Sequence, residues 1–336
     1  MDAYIPLGQR GEWADLEPVP QNDGPNALVP IMYTEEYRDS MDYFRAAKAK
    51  DEKSERVLDL TENIIRLNPA HYTVWQYRFA TLLALQKDLN VELELMNEFA
   101  RENLKSYQVW HHRLLLLTHL SPADPQSEID FIHASLGPDP KNYHTWAYLH
   151  WLYSHFGDLG RITAQKWADE LTWCEEMIAD DGRNNSAWGW RWFLRMARPG
   201  ATAAQDGGHE EIAYAVREIH RIPHNASAWN YLRGLIRSLS AQRAELVPIL
   251  APYMTGAAVD LPADNADATA SWPARTAPLG EETPTPIPLA LEFLGDALIE
   301  SGKLGDAASV FAQLGDEVDK MHSAYWGLRK AECVNA

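Results

Sequence analysis

Five tryptophans, Trp75, Trp110, Trp146, Trp188 and Trp229, recur along the chain at separations of 35, 36, 42 and 41 residues. A period of that size is that of a helical hairpin repeat and not of a propeller blade built from strands. It commits the chain to stacking, because one hairpin cannot bury its apolar face alone and successive units must share a core. Three residues before the anchors stand Tyr72, Tyr107, Tyr143, Asn185 and Ala226, and three after them Arg78, Arg113, Leu149, Arg191 and Leu232. Positions three apart share a helix face, so each anchor marks the same side of an equivalent helix.

Four residues before the anchors stand His71, Ser106, Asn142, Asn184 and Asn225. Serine and asparagine satisfy an orphan N–H of a first helical turn, so the residue that follows each should open its helix. At His71, the stretch NPAHY predicts a start one turn earlier, with Asn68 as cap and Pro69 at the first helical position. Between anchors lie amphipathic stretches such as VELELMNEFARENL, with Leu93, Met96, Ala100 and Leu104 at helical spacing. The expected fold class is all-α, each unit a helix, a turn and an antiparallel helix.

The apolar fraction of 46% suffices for one large or two medium domains, and a net charge of −18 leaves no electrostatic footprint for nucleic acid. No nucleic-acid partner is expected. No apolar stretch approaches the roughly 20 residues of a membrane span, and MDAYIPLGQRGEW lacks a basic region followed by an apolar one, which predicts a cytoplasmic protein. Cys174 and Cys333 make no metal-ligand spacing and no disulfide framework, and read as free thiols. His111 and His112 point about 100° apart on a helix with no third ligand, and read as structural.

Residues 1–40 read as an extended arm, with Pro6, Pro18, Pro20, Pro25 and Pro30 and the turn chemistry of PQNDGP. Residues 41–247 carry the hairpin repeats. Residues 248–288, rich in proline, alanine and threonine, read as a loop or disordered insertion. Residues 289–336 return to a helical pattern, where HSAYWGLRKA revives the Trp-x-x-Arg spacing at Trp326 and Arg329 as a terminal, capping repeat.

NPAHYTVWQYR, LKSYQVWHHR, KNYHTW, RNNSAWGWRW and PHNASAWNYL resemble, in order, the five repeats of protein prenyltransferase alpha subunits. EWADLEPVPQNDGP followed by YRDSMDYFRA resembles the arm of the alpha subunit shared by protein farnesyltransferase and geranylgeranyltransferase type I. The resemblance implies a right-handed superhelical crescent of antiparallel helix pairs wrapped around a separate beta subunit that carries the catalytic zinc, with magnesium accompanying the diphosphate. The implied partners are that beta subunit, farnesyl or geranylgeranyl diphosphate, and proteins ending in a Cys-a-a-X (CaaX) motif such as Ras-like GTPases. In the implied reaction zinc favours the thiolate of the motif's cysteine, which attacks C1 of the isoprenoid while diphosphate leaves. No metal ligand is then expected in this chain, and the choice of isoprenoid is expected to lie in the beta subunit.

By the same resemblance Lys105 is the catalytic residue. A lysine aimed at the departing diphosphate binds it more strongly as charge develops, and a helix start adds N–H donors that favour anions. Tyr143 and His144 are implied as diphosphate neighbours beside Lys105; Gln108, Tyr107 and Tyr72 are implied as contacts to the CaaX peptide, where the Gln108 amide can donate to the terminal carboxylate. Read without the family, Lys105 is a solvated loop lysine and Tyr107 a core ring. Lys141, at the equivalent position of the next repeat, stays open between those two roles. Ser106 and His71 depart from the family's asparagine, but only at cap positions. The repeated tryptophans read as architectural, and Arg78, Arg113 and Arg191 should pair with acids of neighbouring repeats.

Two other functions fit the period alone: a non-catalytic tetratricopeptide-like scaffold that binds peptides, and the alpha subunit of Rab geranylgeranyltransferase. The Lys-x-Tyr-Gln motif and the arm argue against the first, since the tetratricopeptide pattern Trp-x-x-Leu-Gly-x-x-Tyr is absent from the anchors. The arm argues against the second. The sequence closes on CVNA, formally a CaaX box, but Asn335 is polar where an aliphatic residue is wanted, and self-prenylation is not expected.

Overall fold

The computed structural model describes residues 4–201, 208–255 and 286–335, and the chain divides into two units, Met1–Ile162 and Thr163–Ala336. In the first, α1 (Glu35–Ala49) precedes the pairs α2 (Glu55–Leu67) and α3 (Tyr72–Ala84), α4 (Leu89–Glu102) and α5 (Tyr107–Leu120), and α6 (Gln126–Leu136) and α7 (Tyr143–Asp158). In the second, α8 (Ala164–Asp180) pairs with α9 (Asn185–Trp192), and α10 (His209–Arg221) with α11 (Ala226–Leu239). There follow the short α12 (Val247–Leu250) and α13 (Pro252–Thr255), then α14 (Pro288–Glu300), α15 (Leu304–Gln313) and α16 (Ser323–Asn335). No strand occurs among the described residues.

Every anchor tryptophan is buried in the second helix of its pair. Each indole N–H also donates to the carbonyl six residues upstream: Trp75 to Pro69 at 2.8 Å, Trp110 to Leu104 at 2.9 Å, Trp146 to Pro140 at 2.9 Å, Trp188 to Gly182 at 2.8 Å and Trp229 to Pro223 at 2.8 Å. The ring thus fills the core while its polar edge satisfies a turn carbonyl, fixing the hairpin's bend. Neighbouring pairs meet through tilted rings. Trp75 lies 4.9 Å from the ring of His112, Trp110 5.3 Å from Tyr148, and Trp188 5.1 Å from Tyr231.

A second periodic feature was less visible in the sequence. Glu92, Glu128, Glu170 and Glu211 are buried on the first helices α4, α6, α8 and α10. Each accepts a hydrogen bond from the residue 20 positions later: His112 at 2.8 Å, Tyr148 at 2.7 Å, Trp190 at 2.7 Å and Tyr231 at 2.7 Å. Three of them also hold the arginine of the preceding pair in two-pronged contacts, Arg78 on Glu92, Arg113 on Glu128 and Arg191 on Glu211. Each such glutamate therefore ties one hairpin to the next, and the ion pairs are bidentate and dry, the geometry in which arginine binds carboxylate most strongly. In the third repeat Leu149 stands where the arginine would be.

Glu92 carries a testable consequence. Burial pushes its carboxyl up, but the hydrogen bonds from His112 and Arg78 prevail and bring it down from about 4.5 to about 2. Because Glu92 is ionised and can only accept, His112 must carry its proton on Nε2; its Nδ1 is buried without a hydrogen-bond partner. Burial holds His112 below the usual histidine range, against the pull of Glu92. A folded-state carboxyl below its unfolded value stabilises fully above the unfolded value, and loses that contribution as pH falls through the folded one. The Tm should therefore fall more steeply between pH 5 and pH 2 in the native chain than in Glu92→Gln, with on the order of 3 kcal/mol at stake over that window. Parallel slopes in the two proteins would contradict this.

Several expectations need correcting. The arm ends at Thr34, not at residue 40: the Thr34 hydroxyl accepts from the Tyr37 N–H at 3.2 Å, a side-chain cap that starts α1 at Glu35. Nor is the arm wholly extended. It makes 3₁₀ turns at Leu7–Gln9 and Gly11–Trp13, and buries Leu7, Trp13 and Leu16, with Trp13 edge-on to Tyr43 at 5.4 Å. Asn68 does not cap α3. It closes α2, and its side chain accepts from the Ala70 N–H at 3.2 Å, so α3 starts at Tyr72 behind His71. Asn142, Asn184 and Asn225 cap their helices through the side chain, whereas Ser106 does not.

The stretch 248–288 is not loop at its ends. Residues 247–255 form α12 and α13 with Val247, Leu250, Tyr253 and Met254 buried, and α14 begins at Pro288, where proline suits the first helical turn. The remainder of that expectation, residues 256–285, lies outside the described residues. At the end of the chain Trp326 departs from the anchors, its indole donating to the Asp319 carboxylate at 3.0 Å. Both cysteines are buried and free. Burial pushes the Cys174 thiol up to about 12, and its S–H donates to the Ala187 carbonyl at 3.3 Å. Cys333 lies within α16.

Candidate functional site

Tyr72, Tyr107 and Tyr143 are the first residues of α3, α5 and α7. They are 70%, 67% and 69% exposed, although each stands three residues before a buried tryptophan. The side chain of a helical residue leans toward the helix N-terminus, so at the first position it projects past the helix end and away from the packed layer. Three successive repeats thereby present a tyrosine at equivalent places, all within the first unit.

Two of the rings meet a third. Tyr107 and His144 are edge-on at 4.1 Å, and Tyr143 lies edge-on to His144 at 5.6 Å. Burial holds the half-buried His144 below the usual histidine range, so it is a neutral imidazole at neutral pH. Tyr72 makes no ring contact with this cluster among the described residues and stands at the start of the preceding repeat.

Lys105, Tyr107 and Gln108 line an open groove of about 650 Å³, whose other wall is the turn of the first hairpin at Pro69 and Ala70. Lys105 is exposed and has no ion-pair partner among the described residues. Beside it, the Ser106 hydroxyl turns away from α5 and donates to the Pro69 carbonyl at 3.4 Å, so no side chain caps the helix. On α7 the equivalent residue Asn142 does cap, accepting from the Thr145 N–H at 3.1 Å. The start of α5 therefore keeps its N–H donors free beside an unpaired ammonium, an arrangement that favours an anion both by hydrogen bonding and by the helix dipole.

Of the expected site residues, the structure brings Lys105, Tyr107 and Gln108 together in the groove and joins Tyr143 and His144 to them through Tyr107. Lys141 is exposed and does not line the groove. Sequence reading missed Arg101 and Asn103, which line it from the end of α4. Their closeness in sequence to Lys105 was the available signal. Among the described residues, no group of three or more His, Cys, Asp or Glu side chains could hold a metal ion. No described helix is long and apolar enough to cross a membrane.

With this geometry in hand, the chain can be set beside known proteins. Residues 54–85, 89–120, 125–156 and 167–197 match the protein prenyltransferase alpha subunit repeat. The chain is 41% identical over 239 residues to the protein farnesyltransferase/geranylgeranyltransferase type-1 subunit alpha of Pisum sativum, covering 71% of this chain and 69% of that protein. It is 30% identical over 321 residues to the subunit of the same name from Candida albicans, covering 94% and 95%. Its structure resembles the solved Candida albicans protein geranylgeranyltransferase-I complexed with GGPP, with a TM-score of 0.80 at 29% identity over 97% of this chain and 99% of that one. By these matches and by the repeat that its tryptophans build, the chain belongs to the family of protein farnesyltransferase/geranylgeranyltransferase type-1 alpha subunits.

Proposed function

We propose that this chain is the alpha subunit of a heterodimeric protein farnesyltransferase and geranylgeranyltransferase type I, which transfers an isoprenoid from its diphosphate to the cysteine of a C-terminal CaaX motif. The observation that carries the reading is the start of α5, where an unpaired Lys105 adjoins an uncapped helix N-terminus in a groove edged by exposed tyrosines. Lys105 stabilises the diphosphate as its negative charge grows, with Tyr143 and His144 as its neighbours at the leaving group. Gln108 donates its amide to the peptide's terminal carboxylate, while Tyr107 and Tyr72 flank the peptide. Neutral His144 offers either a donor or an acceptor and adds no charge of its own.

Zinc belongs in this reading to the partner beta subunit, where it supplies the thiolate, and magnesium to the diphosphate. The described residues of this chain offer no donor set for either, and no step assigned to this chain runs through a metal. The reading places the protein in the cytoplasm, with CaaX-ending proteins such as Ras-like GTPases as substrates. Co-expression with a prenyltransferase beta subunit should yield a stable heterodimer that labels a CaaX peptide with farnesyl or geranylgeranyl. A chain that fails to co-purify with either type of beta subunit would overturn the proposal.

A further inference from the structure

The second unit holds a cavity unrelated to the groove. It has a volume of about 420 Å³ and is lined by four arginines, Arg233, Arg237, Arg243 and Arg329, with the carboxylates of Glu292, Asp296 and Glu300. The helices that meet here are α11, α14 and α16, with a 3₁₀ turn at Arg243–Glu245. In a chain of net charge −18, four guanidinium groups converge here on three lining carboxylates, and Arg329 also pairs with Glu332 at 3.3 Å.

The acids are already engaged. Arg233 donates to Glu292 at 2.5 Å, Arg329 to Asp296 at 2.8 Å, and Arg243 pairs with Glu300. The arginines are not all satisfied in return. Arg237 is exposed and has no ion-pair partner among the described residues, and the Nε atoms of Arg233 and Arg243 are buried without an acceptor. Burial first, and then the nearness of Arg233, Arg237 and Arg329, hold the Arg243 guanidinium below the usual arginine range against the pull of Asp296. A buried donor without an acceptor is costly, the more so on a charged group, so these guanidinium groups favour an acceptor-rich anion.

We propose that this arginine-lined cavity binds a multivalent phosphate-class anion, at a site separate from the groove at Lys105. Guanidinium groups match phosphate oxygens two at a time, and a cavity of this size falls in the range of small-molecule sites. The carboxylates keep the site selective: with each held by an arginine, a monovalent ion gains little, whereas a di- or triphosphate offers enough oxygens to meet Arg237 and the two open Nε donors together. The inference does not depend on the prenyl-transfer reading.

The test is calorimetric titration of the full chain with inorganic triphosphate, made in a Lys105→Ala background so that the groove does not contribute. Binding is expected there, and adding Arg237→Ala should weaken it about tenfold, the scale of one charge-assisted contact. Arg237 is exposed and unpaired, so its loss leaves the fold intact. As a second variant Arg243→Gln, checked by circular dichroism, should weaken binding at least as much. Sedimentation with vesicles carrying phosphoinositide headgroups distinguishes a lipid source from a soluble one: co-sedimentation that Arg237→Ala abolishes assigns the anion to a membrane, and binding in solution alone assigns it to a soluble phosphate. An affinity unchanged by Arg237→Ala, or heats no larger than those of sodium chloride at equal ionic strength, would overturn the proposal.

Discussion

Lys105→Ala, assembled with a beta subunit, should slow single-turnover prenyl transfer by about a hundredfold or more, the usual loss when one preorganised group facing developing charge is removed. The effect should fall on the chemical step. Lys105 is exposed and makes no ion pair among the described residues, so the fold of α5 does not depend on it, and heterodimer assembly is expected to be retained. Isoprenoid affinity should change far less than the rate, because the bound diphosphate carries less charge on the breaking bond than it does in the transition state. Lys105→Arg should recover part of the rate, its charge being kept and its geometry changed. An equal loss of heterodimer in size-exclusion chromatography would make Lys105 structural and remove it from the chemistry.

The largest expected loss of stability is at Glu211. Its buried carboxylate accepts from Arg191 Nε at 2.9 Å, from a second Arg191 nitrogen at 2.7 Å, from Arg195 Nε at 2.7 Å and from the Tyr231 hydroxyl at 2.7 Å. Burial, followed by the field of Glu211, pushes the Tyr231 hydroxyl well above the usual tyrosine range, so it stays protonated and donates. Glu211→Ala would leave the buried Arg191 guanidinium with Glu175, at 2.7 Å and half-exposed, as its remaining carboxylate, and would strand this hydroxyl. Breaking one side of such a pair costs about 3–5 kcal/mol, which for a unit of this size lowers Tm by roughly 10 °C. Replacing Arg191 and Glu211 together by apolar residues of similar volume should return much of that loss, because a buried pair gains little over good packing. Glu98→Ala, which removes the exposed partner of Arg66, should scarcely move Tm. Equal shifts for Glu98→Ala and Glu211→Ala would refute the assignment.

The same buried glutamates mark the limit of what could be read from the chain. Their spacings of 36, 42 and 41 residues repeat those of the tryptophans. Glutamate, however, is common on solvated helix faces, and nothing in an amphipathic pattern says that one in each repeat faces inward. A tryptophan announces itself because so large an apolar ring has few other places to go. The acids were expected only as unspecified partners of Arg78, Arg113 and Arg191; the two-pronged contacts and the donor 20 residues on needed the neighbouring hairpin in place. The caps failed for a similar reason. Ser106 has the chemistry of a cap, but the carbonyl of Pro69 in the preceding turn competes for its hydroxyl. Asn68 has it too, and spends its side chain on its own turn. A local hydrogen-bond preference is a small energy, and a neighbour brought near by packing outweighs it.

By itself the sequence determined the all-helical class, the hairpin period, the anchors that bury and the face they bury on. These follow from residue size and spacing, which act within a helix or between adjacent helices. It also carried the family motif around Lys105, Tyr107 and Gln108. Tertiary structure alone decided that the tyrosines at the helix starts project outward, that Ser106 leaves α5 uncapped beside a free lysine, and that Arg233, Arg237, Arg243 and Arg329 converge across nearly a hundred residues on one cavity. Exposure, competition for a donor and the sum of distant charges depend on which elements meet. No local pattern along the chain encodes that meeting.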